Sequence, residues 1–399
     1  MEAHLVQWLE LAARWLHVIA GAAWIGTSFY FNWLNHSLGP PLEPRPGVAG
    51  ELWSVHGGGF YRVEKFSAAP ERLPDRLHWF KWEAYFTWIT GALLLVLIYY
   101  LGSGAYLRDP AVSGIGQPAA VLIGAGTLIV GLLLYDALCR TPLAERPIPF
   151  VLVLLVLVAV FAFGLGQFLS ARAAFIHVGA MVGTWMAANV FFVIIPGQRA
   201  MVTAMEAGLS PDARRGREGA LRSLHNNYLT LPVLFLMVGI HHPAAYAHPQ
   251  AWVILIAMAL IGVAARHYYN LRHRGRHVVW ILPAVAAAMV ILALVTMPRR
   301  PAGGRAPAAV TEAGESYAVV RAILEERCVA CHSAHPEHPD WNAAPLGVAF
   351  DTPAQVHAQA GRIGGVVAMG TMPLGNVTGM TSAERELIVR WANGATRIE

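Results

Sequence analysis

Charge is scarce in this 399-residue chain: Asp, Glu, Lys and Arg together make up 13% of it, while 56% is hydrophobic. A soluble domain of this size carries about 25% charged residues. So little charge excludes an ordinary water-facing surface, and the apolar excess exceeds what one soluble core absorbs, so a bilayer is the expected solvent. Cysteine is scarcer still, with three residues, two of them inside one five-residue motif. That excludes a disulfide framework and points to a cofactor. Cys139, at the end of an apolar run, reads as a packing thiol. The start of the chain lacks a cationic stretch followed by a short apolar segment and a small-residue cleavage site. A removable signal peptide is therefore not expected, and the first apolar run is read as an uncleaved export signal. The formal charge of +5 could suggest nucleic acid. The Lys and Arg residues lie in short loops between apolar runs, however, so no nucleic-acid partner is expected.

Eight apolar runs are long enough to cross the hydrocarbon, which takes about 20 residues: roughly 9–34, 79–101, 117–139, 148–170, 174–196, 228–245, 250–266 and 278–297. The sixth is the weakest, interrupted by Pro232 and by His241-His242-Pro243. Basic residues concentrate in alternate loops: Arg45, Arg62, Lys65, Arg72, Arg76 and Lys81; Arg140 and Arg146; Arg199, Arg214, Arg215, Arg217 and Arg222; Arg266, Arg272, Arg274 and Arg276. The intervening loops hold Arg108 and Arg172, with Arg299, Arg300 and Arg305 after the last run as a minor exception. Basic loops stay cytoplasmic, so both termini are expected outside, in the periplasm of a bacterial inner membrane. Residues 298–314, rich in Pro, Gly, Arg and Ala, read as a linker. A small polar domain follows over 315–399 and closes with a helix whose capping box pairs Thr381 with Glu384. The expected fold is all-α: a membrane bundle of about eight helices over 1–297, then the small domain.

Cys328-Val329-Ala330-Cys331-His332 fits the C-x-x-C-H pattern of covalent haem c. Two thiols one turn apart meet the two porphyrin vinyl groups, and the adjoining imidazole reaches the iron. A zinc knuckle or redox dithiol is the alternative, but zinc wants a second ligand pair and no CxxC partner is present. Met raises the potential of a haem as second axial ligand. Met372, in Thr371-Met372-Pro373-Leu374-Gly375, is the chosen ligand, with Met380 as fallback and Met369 as a packing residue. The small domain thus reads as a class I cytochrome c.

Inside the bundle, His17 with Trp24 and His177 with Trp185, then Arg76-Leu77-His78 and Arg222-Ser223-Leu224-His225, suggest a weak parallel duplication of a four-helix unit. Intramembrane ionisable residues are costly and usually functional. His17 and His177, expected to face each other in the outer half, are candidate ligands of a non-covalent haem b; hydrogen bonds to neighbouring helices are the alternative. Four segments at the cytoplasmic edge combine cations, amides and aromatics: His56-Gly57-Gly58-Gly59-Phe60-Tyr61, Lys81-Trp82-Glu83, Pro196-Gly197-Gln198-Arg199 and His225-Asn226-Asn227-Tyr228. Such a set suits a flat anionic ring, with helix capping and interfacial aromatic belts as the alternative. His241, His242 and His248 could hold a metal but read as a turn beside Pro243 and Pro249.

Several segments, in order, resemble the bacterial membrane-bound urate oxidase family that carries its own cytochrome c. They are Trp15-Leu16-His17-Val18-Ile19-Ala20-Gly21-Ala22-Ala23-Trp24-Ile25-Gly26, His56 to Tyr61, Lys81-Trp82-Glu83-Ala84-Tyr85, His225-Asn226-Asn227-Tyr228-Leu229-Thr230-Leu231-Pro232, and the cytochrome motif with its Met372 turn. The resemblance implies two-electron oxidation of urate to 5-hydroxyisourate, with electrons leaving through the cytochrome to a downstream cytochrome c or terminal oxidase. Under that reading Arg199, Lys81 and Arg222 are expected to meet the anion's charge, Asn226 and Asn227 its ring edges, and His225 to serve as base. About 30 Å of hydrocarbon would separate such a site from an outer haem, which motivates the intramembrane haem. A quinol-linked or haem-assembly carrier is the competing class, and a transporter with an appended cytochrome a more distant one.

Overall fold

The computed structural model describes residues 2–67, 70, 73–101, 104–110, 112–297, 313–339, 341 and 344–395. Arg72, Arg299, Arg300, Arg305 and nearly all of the expected linker lie outside them. Helix accounts for 69% of the structure and strand for 5%. The bundle holds α1 (Glu2–Ser37), α2 (Trp82–Leu95, continued by a π turn Val96–Tyr100), α3 (Gln117–Cys139), α4 (Pro147–Leu165), α5 (Ala171–Ala188), a π turn Asn189–Ile194 leading into α6 (Ile195–Glu206), α7 (Ala213–Gly239), a short α8 (Pro243–Tyr246), α9 (Ala251–His273) and α10 (Ile281–Val295).

Local signals explain the starts of these helices. The Ser170 hydroxyl accepts from the Ala173 amide at 3.1 Å and opens α5, and Asp212 accepts from the Arg214 amide at 2.8 Å and opens α7. Pro147 begins α4, where its missing N–H costs nothing. Among the described residues, five stretches are long and apolar enough to cross a membrane: Trp82–Tyr100, Gln117–Cys139, Pro147–Leu165, Ala171–Glu206 and Ala251–His273, with Ile281–Val295 apolar but shorter. Leu122, Ile148, Val156, Val160 and Phe192 are exposed on the outside, while Trp185, Tyr135, Phe175 and Met181 fill the interior. α7 starts well before the expected 228 and runs through Pro232 without ending; its first half is strongly charged, which keeps it outside the set of five.

Residues 48–66 depart from the all-α expectation. β1 (Val48–His56) and β2 (Gly59–Phe66) pair antiparallel, with His56 opposite Gly59. Gly57 and Gly58 have φ of 56° and 80°, the two left-handed positions of a tight hairpin turn. The glycines at 57 and 58 therefore serve a turn rather than a ligand's close approach. An ion pair of Arg62 with Glu51 at 2.8 Å braces the strands.

Hydrogen bonds define the two ends of the bundle. At one, Ser170 donates to Tyr106 O and Ser113 to Phe168 O, tying loop 104–113 to the α4–α5 connection. At the other, Asp136 joins Arg222 and Arg140, and Lys65 contacts Asn35. The tail holds α11 (Ala313–Arg327), α12 (Pro353–Ala358), α13 (Ala360–Ala368) and α14 (Ser382–Ala395) around Val320, Leu324, Phe350, Val356, Met380 and Ile388. The Thr381–Glu384 capping box is present: the Thr381 amide donates to Glu384 at 2.6 Å and the Glu384 amide to Thr381 at 3.3 Å. The tail packs against the loop-104 end, where Gly375 meets the carbonyl oxygens of Ala105 and Arg108.

Candidate functional site

A buried polar cluster joins α3, α5 and α7. Arg222 donates to Asp136 Oδ1 at 2.7 Å and to Asn189 Oδ1 at 3.1 Å. Asn189 Nδ2 donates to Asn226 Oδ1 at 2.8 Å and to the Tyr135 hydroxyl oxygen at 2.9 Å. Asn226 Nδ2 donates to Met186 O at 3.0 Å. The Tyr135 hydroxyl and His225 Nδ1 share a hydrogen bond of 2.9 Å whose direction follows the imidazole tautomer, and the Cys139 thiol lies 3.8 Å from the same nitrogen. His225 stacks on Phe150 at 4.6 Å between ring centroids, and Tyr135 lies parallel to Trp185 at 4.9 Å. Arg222, Asn189, Asn226 and Tyr135 are all buried. Asn189 begins the π turn of the α5–α6 helix, a distortion frequent at functional sites.

Three of the six expected site residues therefore meet here: Arg222, His225 and Asn226. Asn227 does not. One residue advances about 100° around a helix, so Asn227 faces another seam, where it accepts from Asn270 Nδ2 at 2.8 Å. Lys81 precedes α2 with its ammonium 5.3 Å from the Trp82 ring, and Arg199 is exposed on α6; neither joins the cluster. Tyr135, Asp136 and Asn189 were not anticipated. Asp136, an acid in an apolar run, was the available signal, whereas Asn189 enters only through the π turn.

His17 and His177, expected to face each other, contact different stretches of the α2 helix and its π turn. His17 Nδ1 lies 3.0 Å from Thr87 O and 3.1 Å from the Thr90 hydroxyl, with its ring against Gly91. His177 bonds Ala173 O through Nδ1 at 2.8 Å and the Tyr100 hydroxyl through Nε2 at 3.0 Å, with its ring against Gly124. Gly91 and Tyr100 are nine positions apart on one helix, roughly 13 Å at 1.5 Å per residue. Both nitrogens of His177 are engaged, with its ring against Gly124, while His17 is bonded through Nδ1. The suggested duplication fails at the same point. His78 precedes α2 against Phe80, whereas its supposed counterpart His225 is inside the α7 network.

In the tail, α11 ends at Arg327, and the amides of Cys331 and His332 fold back onto Cys328 O at 3.2 and 2.9 Å. Cys328 and Cys331 are thiols, not a disulfide. Burial, with the neighbouring Cys331 adding to it, pushes the Cys328 thiol up to about 12. His332 Nδ1 bonds Val348 O at 2.9 Å, the kind of outer contact that orients a ligating imidazole and leaves Nε2 for a metal. Burial, opposed by that bond, holds His332 below the ordinary histidine range and thus neutral. Met380 is 3% exposed in the tail's core, whereas Met372 is half-buried on a turn whose carbonyl Arg385 holds at 2.7 Å. Two adjacent thiols and an oriented neutral imidazole fit a covalently attached haem. Among the described residues, no group of three or more His, Cys, Asp or Glu offers a metal site of the zinc kind.

Two cavities lie away from the Arg222 cluster. One of about 150 Å³ sits between α4, α5 and α9, lined by Phe163, Phe175, Trp252 and His248. His248 there accepts from the Gln250 amide at 3.0 Å, closing a turn. The other, about 240 Å³, lies between Gly104 and Arg108 of the loop and His338, Gly375 and Val377 of the tail. No curated protein and no solved structure matches the chain. Residues 3–297, the whole helical bundle with the Arg222 cluster inside it, match the family described as urate oxidase N-terminal, and the chain belongs to that family.

Proposed function

We propose that this protein is a membrane-bound, cytochrome c-linked urate oxidase. Urate and water give 5-hydroxyisourate, two protons and two electrons, and the electrons leave through the fused tail to a downstream cytochrome c or terminal oxidase. The observation that carries this reading is the joining, in one chain, of a urate oxidase family domain over 3–297 to the Cys328-Cys331-His332 motif. The bundle then spans the bacterial inner membrane eight times, with both termini and the tail in the periplasm. In support, the tail packs on the end whose loops carry Arg108 and Arg172, away from the basic loops.

Cys328 and Cys331 would hold haem c covalently, and His332 and Met372 would ligate its iron. When bound, that group supplies one-electron redox chemistry. The bundle's own residues bind and deprotonate. Arg222, paired with Asp136, orders the amides of Asn189 and Asn226 beside Tyr135. The proton shared by Tyr135 Oη and His225 Nδ1 gives the site a base reached through the tyrosine hydroxyl. Aromatic side chains, the buried Tyr135, Trp185 and Tyr99 and the partly buried Tyr100 and Tyr106, line the bundle from this cluster to the loop where the tail docks.

The test is anaerobic addition of urate to the oxidised, purified full-length protein while the haem c bands are recorded. Reduction by urate, with two haem equivalents consumed per urate, is expected. Reduction by quinol alone would replace this reading with that of a quinol-linked carrier.

A further inference from the structure

Arg266 lies in α9, one of the helices long and apolar enough to cross a membrane, and only 4% of its surface is exposed. Its Nε and Nη2 have no hydrogen-bond partner, and among the described residues no carboxylate pairs with it. Burying a cation uncompensated is costly. The Phe29 ring, 3.9 Å from the guanidinium carbon, offsets part of that cost and covers one face. What remains is the side edge, whose Nε and Nη2 carry parallel N–H donors, the fork that grips a planar oxyanion in two bonds. Arg327 uses this edge on Glu384, at 3.2 and 3.0 Å. In Arg266 that edge has no hydrogen-bond partner.

The surroundings repeat the pattern. Asn270, one turn along α9 on the same face, donates to Asn227 Oδ1 at 2.8 Å and accepts from Asn32 Nδ2 at 2.8 Å. Phe29 and Asn32 share a face of α1, so α1, α7 and α9 meet along one seam. Asn227 Nδ2 is buried in that seam without a partner. The seam therefore collects three unsatisfied donor nitrogens, whereas Arg222 already has its carboxylate. Buried donors are almost always paired, and a shared shortfall of acceptors points to a missing anionic ligand.

We propose that the α1–α7–α9 seam seats the substrate anion, with Arg266 Nε and Nη2 and Asn227 Nδ2 as its donors. The inference rests on urate being the substrate. The urate monoanion presents a ring nitrogen beside an exocyclic oxygen in one plane, which matches a two-pronged donor edge. Arg266 is thus a binding residue, and the Arg222 cluster neighbours the substrate rather than carrying its charge.

The test uses detergent-purified full-length holoprotein, reduced beforehand with dithionite under argon so that bound urate cannot turn over. Equilibrium binding of radiolabelled urate is measured for the wild type, Arg266→Met and Arg266→Lys. One urate per chain is expected in the wild type, with binding about tenfold to a hundredfold weaker in Arg266→Met, the range for a hydrogen bond to charge, and an intermediate loss in Arg266→Lys. Because the cation is uncompensated, Arg266→Met also raises the thermal midpoint without urate and abolishes the upward shift that urate gives the wild type. Undiminished binding in Arg266→Met overturns the proposal, as does a lower midpoint with the urate shift intact. Haem reduction by urate alongside undiminished binding in the variant keeps the oxidase reading and defeats the seat. Arg266-dependent binding without haem reduction does the reverse.

Discussion

Asp136 holds Arg222 of α7 through one carboxylate oxygen and Arg140, just past the end of α3, through the other, both at 2.7 Å. The pair is unequal in exposure, 9% for the Arg222 side chain and 30% for that of Asp136. Removing one partner of a fully buried pair costs about 3–5 kcal/mol. Solvent at Asp136 lowers that, so Asp136→Asn should destabilise by about 1–3 kcal/mol. Thermal unfolding in detergent reads this, and an unchanged midpoint would mean that Arg222 is stabilised by Asn189 and the Tyr135 ring alone.

His225 and Tyr135 separate base from scaffold. If the imidazole takes the proton that Tyr135 relays, His225→Gln should lower kcat for urate about 100-fold or more with little change in KM. Tyr135→Phe should follow it, because His225 then loses its hydroxyl partner and keeps only the weaker Cys139 thiol, 3.8 Å from Nδ1. A KM rise with kcat preserved in His225→Gln would make the residue a binder instead.

Much of this was legible before any fold was known. The apolar runs at 117–139 and 148–170 lie within a few residues of α3 and α4, since an unbroken apolar stretch leaves little choice of structure. Gly57-Gly58 between β-rich runs carries two meanings in sequence, close approach to a ligand and a tight turn, and the fold uses the second. Arg222, His225 and Asn226 stood out because polar residues at helical spacing stood within an apolar context. Asn227 lies in a different seam from Asn226 because adjacent residues on a helix face different neighbours. Asn189 and Arg266 depended on a π turn and on three-helix packing, neither of which leaves a local mark in sequence.

The tail distinguishes its methionines. Met372→Ala should remove the weak charge-transfer absorption of sulfur bound to ferric haem and lower the potential, with the fold retained. Met380→Ala, by contrast, empties a core position and should cost about 2–5 kcal/mol while leaving that absorption in place. Loss of the absorption in Met380→Ala alone would exchange their roles.

Glu384 makes the tail sensitive to acid. Burial raises its pKa, but the Thr381 amide and Arg327 outweigh that and hold it below the ordinary carboxylate value. A depressed folded pKa contributes stability that is present above the unfolded value, about 4.3, and is lost as pH falls through the folded value. The tail should therefore soften as pH drops below about 4.3, and Glu384→Gln should flatten that dependence while lowering stability near neutrality. A haem-absorbance melt at a series of pH values measures both, and identical pH slopes in the two proteins would assign the acid response elsewhere.

Gly375 couples the tail to the bundle. Its φ of 55° lies in the left-handed region, and a Cβ there would run into the carbonyl oxygens of Ala105 and Arg108. An alanine must therefore bear a conformational penalty of about 1–2 kcal/mol and also push the tail off the loop. Gly375→Ala should leave reduction of the haem by ascorbate unchanged, since that reductant reaches the tail from solvent. Reduction by urate should slow several-fold, because electrons from the bundle cross the contact that the methyl group opens. Equal slowing with both reductants would locate the damage in the Met372 turn itself, and no slowing with either would mean that the docked contact is not the one electrons use.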